Sequence, residues 1–239
     1  MTSIGILGAH GKMGQELQSL LKKGEFPNLT CAALFDKDSP LSLSRAQAID
    51  VFIDFTESKA TLSFLPILKE LKKSIVIGTT GFTDEQKKEI HTLSHTVPIV
   101  LAPNMSIGVN VLLDLVQRAA ELLPKEFSSH IIETHHPHKK DAPSGTALKL
   151  KEEILRSAQD DKKNVPIESI RGGDVVGEHT VLFLGPGERL ELKHNATSRS
   201  IFARGALQAA EWITHQKPGL YSMKEVIDSR IGCLQNERK

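Results

Sequence analysis

The chain has 239 residues, of which 39% are hydrophobic and 25% charged, with a formal net charge of +1. This is the composition of an ordinary soluble globular protein, long enough for one large domain or two modest ones, and the near-zero charge leaves no electrostatic footprint for nucleic acid or an anionic membrane. Two cysteines, Cys31 and Cys233, make neither a disulfide framework nor a thiolate zinc site, so a reducing cytoplasm fits.

The first residues carry no basic stretch followed by an apolar run, so no secretory signal is expected. No apolar run approaches the ~20 residues that cross a bilayer. Ser3 to Leu7 is a short apolar run stopped by Gly8, which reads as a buried strand. From Lys12 the period changes: Met13, Leu17, Leu20 and Leu21 fall on one helical face, and Gly24 ends it. Strands are then predicted over Leu29–Phe35, Val51–Phe55, Ser74–Ile77 and Pro98–Leu101. Helices are predicted after Thr56 as far as Lys73 and from Thr83 to Leu93.

Apolar strands alternating with helices across short glycine-bearing loops imply a doubly wound, Rossmann-like parallel sheet covered on both faces. A long helix follows from Val109 to Leu123, stopped by Pro124, and the texture then changes. "HIIETHH" and "VPIESIRGG" read as strands, and "HTVLFLG" and "RLELKH" flank "PGE" as a hairpin. Helices are predicted over Ser144–Ser157 and Ser200–His215, with a polar surface loop over 157–164. The expected organisation is a dinucleotide-binding domain over residues 1–106, to which a helical tail (216–239) returns. An α+β domain on a mixed sheet takes residues 107–215.

"GAHGKMG" lies between a strand and a helix. Gly8 permits the tight turn, Gly11 lets backbone approach phosphate, and Gly14 lets the helix pack closely on the sheet. The spacing is one residue longer than the common fingerprint and is alone a weak signal. Asp36, about 20 residues past the last glycine and at the end of the next strand, strengthens it as the acid for adenosine ribose hydroxyls. Asp36 repels a 2′-phosphate while the adjacent Lys37 attracts one, so the expected cofactor is NADH or NADPH, with NADH favoured.

The second concentration of chemistry is "ETHHPHKKDAPSGTA", Glu133 to Ala147. His135, His136 and His138 begin where a strand runs out, and Lys139 follows at once. An imidazole and an ammonium this close both address a small anion, and each lowers the other's pKa. Ser144 is placed to cap the next helix, and the N–H groups of Ser144, Gly145 and Thr146 form a nest for a carboxylate or phosphate. The segment thus reads as an anion cradle beside a proton donor. Three other readings stand beside it: a metal site with Glu133 or Asp141, anion binding without chemistry, and a solvated basic loop.

With these motifs, and with "VFIDFT", "VIGTTGF", "APNMSIGVN", "GEHTVLF" and "RLELKHNATSRSIFARGA", the chain resembles the 4-hydroxy-tetrahydrodipicolinate (dihydrodipicolinate) reductases over nearly its whole length. The resemblance implies that Gly8, Ala9, His10, Gly11, Lys12 and Met13, with Asp36, hold the cofactor. It implies that Gly78, Thr79 and Thr80, with Ala102, Pro103, Asn104 and Met105, close over its nicotinamide end. His135 takes the place of the general acid/base and Lys139 that of a second proton donor, while His136, Gly145 and Thr146 grip substrate carboxylates. The family's reaction sends a hydride to C4 of a cyclic imine dicarboxylate. Its members are usually homotetramers built through the second sheet. Glu57 after "DFT" departs from relatives that carry arginine there, which weakens a preference for NADP. The alternatives are another two-domain amino-acid dehydrogenase and a nucleotide sensor without turnover.

Overall fold

The computed structural model describes residues 1–157 and 164–236, with side chains described as far as residue 229. The predicted loop over 157–164 therefore falls, apart from its end residues, outside them. Two compact units form: the first takes Met1–Ile107 and the chain from Ser200 onward, the second Gly108–Arg199.

In the first unit β1 (Thr2–Leu7), α1 (Lys12–Lys22), β2 (Leu29–Phe35), a one-turn α2 (Leu43–Ala46), β3 (Val51–Asp54), α3 (Ser58–Leu71), β4 (Ser74–Ile77), α4 (Asp84–Ser94) and β5 (Pro98–Leu101) alternate. Strand sides repeat every second residue, and in the inner strands β3, β4 and β5 both sides are dry. Ile4, Ile6, Val51, Ile53, Val76 and Val100 face one layer with Leu17 and Leu20 of α1. Leu7, Phe52, Ile75, Ile77 and Ile99 face the other with Leu65, Leu68, Ile90 and Leu93 of α3 and α4. The start of α4 is fixed by a capping box, in which Gln86 N–H donates to the Thr83 hydroxyl (3.3 Å) and Thr83 N–H to the Gln86 side chain (2.9 Å).

In the second unit α5 (Ile107–Leu122, all but its first residue), β6 (Ser128–His135), α6 (Gly145–Ser157), β7 (Ile167–Arg171), β8 (Gly177–Gly185) and β9 (Glu188–Ala196) build a four-stranded sheet of order β7-β6-β8-β9. β6 and β7 run parallel and the other pairs antiparallel, so the sheet is mixed, as expected. Leu112 and Val116 of α5 and Leu150 and Ile154 of α6 bury one face against Ile131, Val181 and Phe183.

The helix α7 (Ser200–Ile213) corrects the expected boundary. The expected organisation places it in the second domain, with the return at 216, but Ala203, Ala206, Leu207, Ala209 and Ala210 bury against Ile4, Val51 and Val76 of the first sheet. Its small side chains bring it close to the strands, so the return comes at Ser200. The strand β10 (Gly219–Tyr221), which pairs with β5 and completes the order β10-β5-β4-β3-β1-β2, was not predicted. Three residues beside a proline give no period to read. The last described element is α8 (Met223–Asn236), the expected helical tail. Among the described residues no helix is long and apolar enough to cross a membrane.

Candidate active site

All six strands of the first sheet run parallel, so the loops after β1 to β5 open on one edge. On such sheets that carboxyl edge is where ligands bind. Gly8 leaves β1 at φ +79°, a left-handed turn that disfavours side chains, and a Cβ on Gly14 would stand 2.3 Å from the Gly8 carbonyl oxygen. Gly11 begins α1 in an extended conformation with no side-chain cap, so the first N–H groups, those of Lys12 and Met13, look to solvent or an anion. Ala9 is buried and His10 exposed. The Asp36 carboxylate accepts the His10 N–H and the Lys37 N–H, each at 2.8 Å. Those two donors, with His10 close by, hold its carboxyl below the usual range. The acid of the second strand is thus tied to the glycine loop. A tight turn, an uncapped helix start and a fixed carboxylate fit a dinucleotide.

The remaining loops of this edge rest on Asp54, which sequence reasoning did not single out. It is fully buried and accepts the Thr56 N–H (2.9 Å), the Thr56 hydroxyl (2.6 Å) and the Thr61 hydroxyl (2.5 Å). Burial raises its pKa against these donors and against the buried Thr79. Gly78 N–H donates to the Asp54 carbonyl at 2.9 Å, and Thr80 is exposed. In the loop after β5, Ala102 and Met105 are buried, Pro103 is exposed, and the Asn104 side chain accepts the Ser106 N–H at 2.9 Å.

In the second unit, Glu133 and His135 are two residues apart on β6 and share its inner face, where Glu133 Oε2 meets His135 Nδ1. Glu133 is fully buried. Burial alone would raise its carboxyl, but Arg171, Ser169 and His135 outweigh it and hold it at about 2. Arg171 is paired in register with His135 and grips both carboxylate oxygens, Nη1 to Oε2 at 2.9 Å and Nη2 to Oε1 at 2.7 Å. For His135 burial is the largest influence and lowers the pKa; Glu133 opposes it, and Lys139 and Arg171 add to the lowering. The expected repulsion between this histidine and Lys139 is present, in a minor role. Lys139 Nζ stands 2.9 Å from Asp141 Oδ1. His136 is half-buried, with Nε2 3.5 Å from Arg199.

Ser144 differs from its expected place in the anion nest. It is 2% exposed, and its N–H donates to Glu133 Oε1 at 3.3 Å. Its hydroxyl lies 3.0 Å from His179 Nε2 and accepts the Ala147 N–H at 3.2 Å. Ser144 therefore caps α6 and links it to the core, while of the other two residues expected in the nest Gly145 is exposed and Thr146 half-buried. Among the described residues no group of three or more His, Cys, Asp or Glu side chains is arranged for a metal ion.

Both halves of this arrangement match one family. The family model described as "Dihydrodipicolinate reductase, N-terminus" covers residues 2–105, and that for its C-terminus covers 108–227. The chain belongs to the dihydrodipicolinate reductase family. It is 38% identical to the 4-hydroxy-tetrahydrodipicolinate reductase of Syntrophotalea carbinolica over 95% of this chain and 99% of that one. With the reductase of Geotalea uraniireducens identity is 44% over 77% of this chain and 75% of the other. The dipicolinate-bound dihydrodipicolinate reductase of a Paenisporosarcina species superposes with a TM-score of 0.80 at 26% identity, covering 93% of this chain and 97% of that chain. An amine dehydrogenase from Mycobacterium smegmatis, 10% identical with a TM-score of 0.59, shares the fold. Family membership makes this chain an oxidoreductase.

In this family member, sequence reasoning passed over Arg171 and His179 and considered Glu133 only as a metal ligand. Glu133 had a signal, because a carboxylate two residues before a histidine on a strand shares its face. Arg171 and His179 join through strand pairing alone and had none. Burial, with His135 beside it, pushes His179 down to about 4. An unfolded histidine titrates near 6.5, so the folded state resists its protonation. Stability from this group is full above about 6.5 and is lost as pH falls toward 4, a difference of about 3 kcal/mol. His179→Gln is therefore expected to flatten the loss of Tm between pH 7 and pH 4.5. A melting series in which wild type and variant lose Tm in parallel would remove His179 as the cause.

Proposed function

We propose that this reductase reduces the cyclic imine dicarboxylate derived from 4-hydroxy-tetrahydrodipicolinate to tetrahydrodipicolinate, on the diaminopimelate route to lysine, with His135 and Lys139 as its proton donors. The observation that carries the assignment is His135, held on a buried carboxylate beside the start of α6. The nicotinamide nucleotide, when bound, supplies the hydride for C4. His135 gives a proton to the neighbouring carbon as negative charge develops there. Lys139 is the second donor, and its ammonium also neutralises a substrate carboxylate. His136 and the N–H groups of Gly145 and Thr146 orient the carboxylates, while Ser144 holds the helix start in place. Dipicolinate, the ligand of the Paenisporosarcina relative, is a dicarboxylate, which agrees with this charge pattern.

Gly8 to Met13 would hold the pyrophosphate and Asp36 the adenosine ribose; Gly78, Thr79, Thr80 and Ala102 to Met105 would line the nicotinamide end. We assign NADH as the favoured cofactor, because the Asp36 carboxylate repels a 2′-phosphate, while the adjacent Lys37 keeps NADPH usable. A homotetramer joined through the outer face of β8 and β9, in the cytoplasm, completes the reading.

The test is oxidation of NADH by the purified protein when it is supplied with the product of dihydrodipicolinate synthase. Absence of turnover with both NADH and NADPH overturns the function. Asp36→Ala is expected to weaken NADH binding more than NADPH binding, raising the Kd for NADH by about tenfold, the loss of one to two hydrogen bonds to a charged group. Equal losses for the two cofactors would remove Asp36 from the ribose.

A further inference from the structure

Two features of the second unit do not follow from the reaction itself: a fully buried carboxylate, and an arginine that spends both of its terminal nitrogens inside the protein. Glu133 Oε2 meets His135 Nδ1, and its Oε1 accepts Arg171 Nη2 at 2.7 Å and Ser144 N–H at 3.3 Å. The same Arg171 Nη2 donates to the Asp141 carbonyl at 2.7 Å, and Nη1 to the Ile170 carbonyl at 2.8 Å. One guanidinium therefore braces the carboxylate behind His135 and also the loop that carries Lys139. We infer that Arg171 and Glu133 are positioning residues that fix His135 as the Nδ1–H tautomer, with Nε2 as the nitrogen that exchanges the proton, and that Arg171 sets the Lys139 loop by the same bond network. This inference rests on the reading of His135 and Lys139 as proton donors.

The chemistry follows from the donors and acceptors. A carboxylate with no proton only accepts, so the imidazole nitrogen that meets it carries hydrogen. The second nitrogen is then the one that gains and loses a proton, and Gly177 leaves it room, since a Cβ there would stand 3.0 Å from His135 Nε2. Four charged or titratable groups act on this ring: Glu133 on its own strand, Lys139 on the following loop, Arg171 on β7 and His179 on β8. Of these four, Glu133 favours the imidazolium. Without Arg171 the buried carboxylate would lose the guanidinium that binds both of its oxygens, and a buried charge so weakened costs several kcal/mol and is driven to take up a proton. Arg171 keeps it ionised and, through two parallel bonds, keeps it in one orientation.

The experiment uses the full-length protein with two readouts. Nitrogen-15 shifts of the His135 ring, measured above its pKa, are expected to show the Nδ1–H tautomer in the wild type. The Nε2–H tautomer would overturn the inference without any variant. Glu133→Gln is expected to lower kcat about 10²–10⁴-fold with the Kd for NADH unchanged, the range seen when a catalytic imidazole loses its orienting carboxylate. The high-pH limb of its kcat profile should move to lower pH, because the imidazolium loses the carboxylate charge that favours it. Arg171→Met should also lower the rate and raise KM through the Lys139 loop, and Arg171→Lys should restore part of the rate. A variant of merely structural effect would lose rate without moving the limb or the tautomer. A Glu133→Gln enzyme within threefold of wild type, with an unmoved limb, also overturns the inference. If either variant fails to fold, the wild-type tautomer and Arg171→Lys decide it. Should the wild type show Nδ1–H but no turnover of the imine dicarboxylate, the proposed reaction fails while the positioning stands.

Discussion

A His135→Gln enzyme is expected to reduce the imine dicarboxylate about 10²–10⁴-fold more slowly than wild type and to bind NADH equally well. The asymmetry comes from where the residue sits. His135 belongs to β6 of the second unit, whereas the turn at Gly8, the N-terminus of α1 and Asp36 belong to the first. Glutamine keeps roughly the shape and offers a hydrogen bond to Glu133, so the buried carboxylate is not abandoned, but it has no proton to give near neutral pH. Lys139→Ala is expected to fail differently. Its ammonium is paired with Asp141 at 2.9 Å, and without it a carboxylate stands uncompensated beside the place proposed for substrate carboxylates. Turnover should fall and KM should rise, because like charges now meet. Steady-state kinetics at saturating NADH separate the two cases. If both variants keep the full rate, neither side chain is a proton donor.

Much of this architecture was legible because each part obeys a local rule. The strands β2, β4 and β5 were readable to the residue, since each is a short apolar run bounded by turn formers; β4 and β5 are buried, as that texture implies, while β2 lies at the sheet edge with Thr30, Cys31 and Ala32 exposed. The glycine loop and Asp36 were legible for the same reason: a strand, a turn and a helix start carry their signals in contiguous residues. What escaped was set by tertiary pairing. α7 is a good amphipathic helix by itself, and nothing in "SIFARGALQAAEWI" says which sheet it covers; only packing against Ile4 and Val76 decides it. Ser144 was legible as a cap but not as a partner of His179, which is brought opposite Glu133 by the β6–β8 register. Arg171 reaches His135 in the same way, through the β6–β7 register. The proposed proton donors and anion nest lie in one short segment, while the residues that hold that segment in place come from other strands.

Gly205→Ala is expected to weaken both the fold and cofactor binding, although in an exposed helix the same change would stabilise by about 0.5–1 kcal/mol. Gly205 lies inside α7, and a Cβ there would stand 1.7 Å from the Met105 carbonyl oxygen and 2.8 Å from its carbon. No side chain can swing aside to relieve this, because the obstacle is backbone. Either α7 lifts from a sheet face on which Ala203, Ala206, Ala209 and Ala210 are wholly buried, or the loop from Ala102 to Met105 is displaced. Overpacking of this kind costs about 1–3 kcal/mol, which exceeds the helix-propensity gain. In a protein of this length that corresponds to a Tm lower by about 2–10 °C. The loop is the cheaper part to move, since of it Ala102 and Met105 are buried and Pro103 is exposed, whereas α7 is buried along its length. It is also the segment proposed to line the nicotinamide end, so the Kd for NADH should rise even at temperatures where the variant is fully folded. Calorimetric melting and NADH titration at 15 °C measure the two effects separately. A variant that melts with wild type and binds NADH unchanged would show that α7 and this loop can part at no cost, and that the close approach at Gly205 has no bearing on the cofactor site.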